Sequence, residues 1–188
     1  MRIIHEFSHL GGLELIHTRF RRLESEIRAA IATARSPGKT KISEEKGRKG
    51  KELYSPEEIN DLLKVEFRNR GWERKRVYLK IDIPGLESDA KPFKEIDFVK
   101  GRVAAEVQFG KYFSMHYDLQ KFQYFYNIGE IDAGVEILPM NTLKRQMSSG
   151  VSYYEMLVAD LLRMGRTFPP VPVWIIGIDV EPPETKKP

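Results

Sequence analysis

Residues 96–109 read IDFVKGRVAAEVQF, with apolar residues at every second position on either side of Lys-Gly, the pattern of two strands joined by a tight turn. A hairpin that is apolar along one face must lie in a sheet with that face covered, and this constrains the fold more than any other stretch of the chain. Placing Lys100-Gly101 in the turn pairs Val99 with Arg102, Phe98 with Val103 and Asp97 with Ala104. Val103, Ala105, Val107 and Phe109 then share a face with Ile96 and Phe98, whereas Asp97, Ala104, Glu106 and Gln108 share the other. Asp97 and Glu106 become diagonal neighbours, roughly 7 Å apart at the backbone, across the small side chain of Ala104.

Phe20, Leu23, Ile27 and Ile31 recur at helical spacing and predict an amphipathic helix over 18–34. Ser55-Pro56-Glu57-Glu58 opens a second helix with an N-cap serine, a first-turn proline and a capping-box glutamate, and Gly71 ends it. RVYLKIDI, 76–83, alternates as a strand, and PGLESDAKP, 84–92, is a loop delivering the chain to the hairpin. Beyond the hairpin the pattern predicts a helix over 117–127 ended near Gly129, and a buried strand over 132–139. A helix capped by Ser152 with Glu155, carrying Leu157, Leu161 and Leu162, and a final strand VPVWIIGIDV follow. Strands interleaved with helices make this an α/β or α+β domain with a central mixed sheet. The 188 residues, 41% of them hydrophobic, suit one core, a single domain over 1–180 with a disordered tail at 181–188.

Cysteine is absent, which excludes disulfides, thiolate zinc sites and cysteine nucleophiles, so any metal must be held by oxygen or imidazole. The start MRIIHEFSH lacks a signal peptide's hydrophobic region, and no apolar run is long enough to span a bilayer, so a soluble cytoplasmic protein without a membrane partner is expected. The net charge of +4 has a local source: residues 35–54 carry seven basic and three acidic residues with three glycines and a proline. Such a segment is either a solvated loop or a mobile basic arm that follows a phosphate backbone, with Lys39, Lys41, Lys46, Arg48, Lys49 and Lys51 as the contacts.

Two carboxylates brought to one spot repel each other unless a cation lies between them. Oxygen donors favour magnesium, with manganese able to substitute, and such an ion polarises a phosphodiester and lowers the pKa of a bound water. Gln108 can orient that water by hydrogen bonding, without contributing charge.

Asp97, eight intervening residues, then Glu106-Val107-Gln108 resembles the active site of the BglII and BstYI restriction endonucleases, a branch of the PD-(D/E)XK nucleases with glutamine in place of the usual lysine. EVQFGKY at 106–112, DAGVEILPM at 132–140 and MSSGVSYYE at 147–155 are similar to BstYI segments, and SHLGGLE and LYSP add to the likeness. The resemblance implies a restriction-endonuclease-like core, a homodimer and magnesium-dependent hydrolysis of duplex DNA at a palindromic hexamer with a GATC core. RGATCY, cut after the first base to leave 5′ GATC overhangs, is the first expectation, with AGATCT and GGATCC as alternatives. It further implies a cognate methyltransferase in the same genome. Carried onto matching positions, Asp97 and Glu106 with the Val107 carbonyl are metal ligands, Gln108 positions the water, and Lys111, Ser148 and Ser149 read bases. Lysine donates to guanine O6 and N7, and a serine hydroxyl accepts either purine. The stretch between the 76–83 strand and Asp97 is short for that branch, which implies a reduced loop.

Two other functions compete. A structure-selective repair nuclease or a DNA-binding protein would share the fold without the palindromic target. His5-Glu6-Phe7-Ser8-His9 also matches H-E-x-x-H, the zinc metalloprotease pattern, which works only where a helix sets both histidines on one face.

Overall fold

The computed structural model describes residues 1–85 and 89–180. The tail expected at 181–188 and the middle of the 84–92 loop lie outside the described residues. In chain order the elements are β1 (Arg2–His9), α1 (Gly12–Arg19), α2 (Arg21–Thr33), β2 (Lys41–Ile42), β3 (Glu52–Leu53), α3 (Pro56–Asn69) and β4 (Glu73–Tyr78). Then come β5 (Phe93–Lys100), β6 (Val103–Val107), α4 (Ser114–Asn127), β7 (Ala133–Pro139), α5 (Asn141–Lys144), α6 (Tyr154–Met164) and β8 (Val173–Asp179).

Six strands form one mixed sheet in the order β1-β8-β7-β6-β5-β4, with β6, β7 and β8 parallel and the rest antiparallel. The crossover from β6 to β7 carries α4, and that from β7 to β8 carries α6. Alternation along the parallel strands splits the interior into two layers. Val103, Ala105, Val135, Ile137 and Trp174 pack with Ile16, Ile27, Ile59 and Phe67 of α1, α2 and α3. Ala104, Leu138, Val173 and Ile175 pack with Leu119, Phe122 and Phe125 of α4 and Leu157 of α6.

The local signals hold where the chain decides locally. Ser55 Oγ accepts the Glu58 N–H at 3.3 Å, Pro56 opens α3, and Gly71 turns away at φ 75°. The helix expected over 18–34 is instead two, broken at Phe20, because α1 starts early at Gly12. A Cβ on Gly12 would lie 2.3 Å from the Val173 carbonyl carbon, so only glycine lets α1 approach β8 this closely. The strand expected at 76–83 lies instead at Glu73–Tyr78: it begins three residues sooner, since Trp72 N–H closes onto Phe67 O at 3.1 Å and the chain enters the sheet at once, and it ends five residues sooner.

Ser152 does not cap α6. Its hydroxyl donates to the carbonyls of Gln108 (3.0 Å) and Gly110 (3.3 Å), tying the start of α6 to the end of β6. Glu155 instead accepts the Asn141 N–H and caps α5. The basic segment is not a free arm. Strands β2 and β3 pair, Arg48 donates to the carbonyls of Arg145 (3.3 Å) and Met147 (3.0 Å), and Tyr54 N–H donates to Gln146 O at 2.9 Å.

The H-E-x-x-H pattern lies in β1, a strand, where residues four apart are roughly 13 Å distant and cannot share a zinc ion. His9 Nε2 is bound to Pro169 O at 2.8 Å, and Glu6 accepts from Arg28 and from the Trp174 indole. The zinc protease reading is thereby overturned.

Candidate active site

The hairpin forms with a different register from the one its sequence suggests. Lys100 pairs with Val103, Val99 with Ala104 and Phe98 with Ala105, so Gly101-Arg102 make the turn. Gly101 has φ 57°, as the first central residue of a type II′ turn requires. The pairing ends at Phe98 with Ala105, and just beyond it the Asp97 N–H reaches Glu106 Oε1 at 3.4 Å. Strand β5 also bulges: Glu73 pairs with Val99 but Lys75 with Ile96, leaving one extra residue on β5. Ile96 and Phe98 therefore fall in opposite layers, not on the shared face expected, and the kink lies at Asp97.

After β6 the chain turns through Gly110 and returns as α4 across the same face, placing Asp118 and Lys121, three residues apart and so on one side of the helix, above the strand. Lys121 donates to Glu106 Oε1 and, at 2.8 Å, to Asp118. Gln108 Nε2 donates to Asp118, and Gln108 Oε1 accepts the Gly110 N–H at 2.7 Å. Glu136 is the register partner of Glu106 on β7 and faces the same way. It is fully buried, neither oxygen has a donor, and beside it lies the carboxyl of Asp118.

Burial, reinforced by Asp118 and Asp97 and opposed by Lys121, pushes the Glu106 pKa up to about 8. Burial, with Asp118 and Glu106 nearby, holds Glu136 well above the ordinary carboxyl range. The Lys121 ammonium, although buried, is held charged by Glu106 and Asp118. A lone positive charge thus stands among crowded carboxyls, a setting that accepts a further hard cation through oxygen donors. Among the described residues no three acidic or histidine side chains converge to hold a metal by themselves. An ion at Asp97 and Glu106 would need the Val107 carbonyl, water or a substrate phosphate to complete its shell, as suits magnesium.

Residues 110–112 pair with 150–152: Tyr112 N–H donates to Gly150 O at 2.9 Å, Ser152 N–H to Gly110 O at 3.0 Å, and Lys111 bridges Val151. Lys111, exposed, is thereby brought beside the turn that carries Ser148 and Ser149. Glu45 of the β2–β3 hairpin accepts the Ser149 N–H at 2.7 Å, so the basic segment adjoins that turn. Lys41, Lys46, Lys49 and Lys51 are exposed there, Lys39 lies over the Tyr54 ring at 5.4 Å, and Arg48 is spent on its carbonyls and Glu45. Sequence reasoning missed Lys121, Asp118 and Glu136. Their signal was a charge on an apolar face: Glu136 inside VEIL, and Asp118 between Met115 and Phe122 on the buried side of α4.

A model of the restriction endonuclease BglII/BglIII family matches residues 4–178. Two solved structures share the fold. Restriction endonuclease BglII complexed with a DNA 16-mer superposes with TM-score 0.74 at 22% identity, covering 98% of this chain and 81% of that one. Free BglII superposes with TM-score 0.66 at 19% identity, covering 98% and 82%. No curated protein matches the chain. A family pattern that runs through residues 4–178, on a mixed sheet shared with BglII, makes this chain a member of the BglII/BglIII family of restriction endonucleases, type II enzymes that cut DNA at defined sites.

Proposed function

We propose that the enzyme hydrolyses duplex DNA at RGATCY, after the first base on each strand, leaving 5′ GATC overhangs, with magnesium as cofactor. What supports metal-dependent hydrolysis is the approach of the Asp97 N–H to Glu106 beside the bulge in β5, with Gln108 joined to Glu106 through Asp118 and Lys121; RGATCY rests on the resemblance of residues 106–112 and 147–155 to BstYI-like enzymes. Magnesium, when bound, supplies the Lewis acid for the scissile phosphate and the attacking water. Asp97, Glu106 and the Val107 carbonyl would hold it. Gln108, after its bonds to Asp118 and Gly110, has one N–H and one lone pair left with which to orient a water. Water attacks phosphorus directly, without a covalent intermediate.

Lys111 and the Ser148-Ser149 turn supply base contacts, the serines accepting either purine at the outer position. The exposed lysines of the β2–β3 hairpin, Lys41, Lys46, Lys49 and Lys51, contact phosphates together with Lys39, and Arg48 supports them from within. A palindrome offers two equivalent half-sites, which favours a two-fold homodimer, and Tyr126 at the end of α4 and Ile128 just after it, with Leu162 and Met164 of α6, are exposed apolar residues available for its interface. No helix among the described residues is long and apolar enough to cross a membrane. The setting is the cytoplasm, with a methyltransferase that protects host sites. Asp97→Ala and Glu106→Ala should abolish cleavage of an RGATCY duplex in magnesium while binding it in EDTA at least as well as wild type. Wild-type cutting by either variant would remove this strand pair from the chemistry.

A further inference from the structure

We infer that Lys121, delivered by α4, is a positioning residue of the cleavage site, its ammonium supplying beside Glu106 the positive charge that β6 lacks at Gln108. The inference rests on the reading of Asp97 and Glu106 as the catalytic pair. The Lys121 side chain is only 12% exposed, and an ammonium out of water is costly unless it is paired. Here it is paired twice, with Glu106 and with Asp118. Asp118 is itself 2% exposed and also accepts from Gln108. Gln108 and Lys121 are therefore tied to the same carboxylate. The ammonium stands two hydrogen bonds from the end of the Gln108 side chain, through Asp118.

The geometry gives Lys121 two tasks. It fixes the rotamer of Glu106, whose other polar contact is the weak 3.4 Å approach of the Asp97 N–H. It also offsets charge where Asp97, Glu106 and Asp118 crowd together and a DNA phosphate must enter. Nothing about helix α4 itself requires a lysine here, since Tyr117, one turn back and 45% exposed, marks an edge from which a long side chain can reach solvent.

The test compares wild type, Lys121→Met, Lys121→Arg and the relocated-charge variant Gln108→Lys/Lys121→Met in single-turnover cleavage of an RGATCY duplex with saturating magnesium. Duplex binding is measured in EDTA for each. Lys121→Met should cut roughly a hundredfold or more slower and bind the duplex as wild type does. The relocated charge, and to a lesser degree arginine, should recover at least about tenfold of that loss. A wild type that does not cut would sink the catalytic-pair reading and not this inference in particular. A cutting wild type with an equally fast Lys121→Met overturns the inference. So does a slow Lys121→Met that neither arginine nor the relocated lysine improves, because packing alone would then explain the loss. If Lys121→Met fails to fold, Lys121→Gln takes its place in the same comparison: a slow Lys121→Gln improved by Gln108→Lys supports the inference, and one as fast as wild type overturns it.

Discussion

Glu136→Gln should stabilise the metal-free protein, by an amount that depends on pH in a defined way. Glu136 is fully buried in the middle of β7, with no donor to either oxygen, and burial beside Asp118 and Glu106 keeps its pKa well above the ordinary 4.5. Above pH 4.5 the folded chain thus holds a proton on Glu136 that the unfolded chain releases, so stability falls as pH rises from there toward the raised folded value. Each pH unit inside that window costs up to about 1.4 kcal/mol. Glutamine has the same shape, carries no proton to take up, and offers an N–H to Asp118 in place of the acid's O–H. Urea unfolding in EDTA should therefore find Glu136→Gln more stable than wild type near pH 7, with the gap closing by up to about 1.4 kcal/mol per pH unit as pH falls toward 4.5. A gap that stays constant with pH, or a variant less stable than wild type near pH 7, would refute the assignment of a neutral Glu136.

With the Glu106 pKa up at about 8 in the metal-free protein, the carboxyl must lose a proton before it can hold a cation, so magnesium affinity should fall about tenfold per pH unit below that value. An affinity that stays flat across that range would contradict this. Ser152→Ala removes the hydroxyl that joins α6 to the carbonyls of Gln108 and Gly110 and should cost about 1–3 kcal/mol, read as a lowered melting temperature. An unchanged melting temperature would deny the hydroxyl its role as a tie. Lys46→Ala, Lys49→Ala and Lys51→Ala should each lower the slope of log affinity against log salt by about one, since each ammonium neutralises a single phosphate, and leave the preferred sequence unchanged. Slopes identical to wild type would move the backbone contacts elsewhere.

What the sequence made legible was local. The Ser55-Pro56 start of α3, the apolar run of β7 and the hairpin bearing Asp97, Glu106 and Gln108 each follow from a few adjacent residues. The turn was not decided locally, because Lys100-Gly101 and Gly101-Arg102 both offer a glycine. Phe98 opposite Ala105, its ring stacked on Phe67 with centroids 4.7 Å apart, accompanies the second choice. The bulge at Asp97 arises from pairing with β4 on the far side of β5, which no pattern within the hairpin records. Lys121 and Glu136 stand 15 and 30 residues from Glu106 in the chain, and only the return of α4 and the β6–β7 register bring them to it. Of the two readings of residues 35–54, solvated loop and mobile basic arm, composition could not exclude the arm, because nothing local shows that the Arg48 guanidinium fastens the segment to backbone carbonyls at 145 and 147.

The most direct test is digestion of methylation-free phage DNA by the purified protein with magnesium, followed by sequencing of the fragment ends, beside an EDTA control. Uniform 5′ GATC ends flanked by either purine on one side and either pyrimidine on the other are the expected result, with no cutting in EDTA. Fragments without a common site, or cutting that survives EDTA, would contradict metal-dependent cleavage at a GATC palindrome and favour a structure-selective nuclease on the same fold.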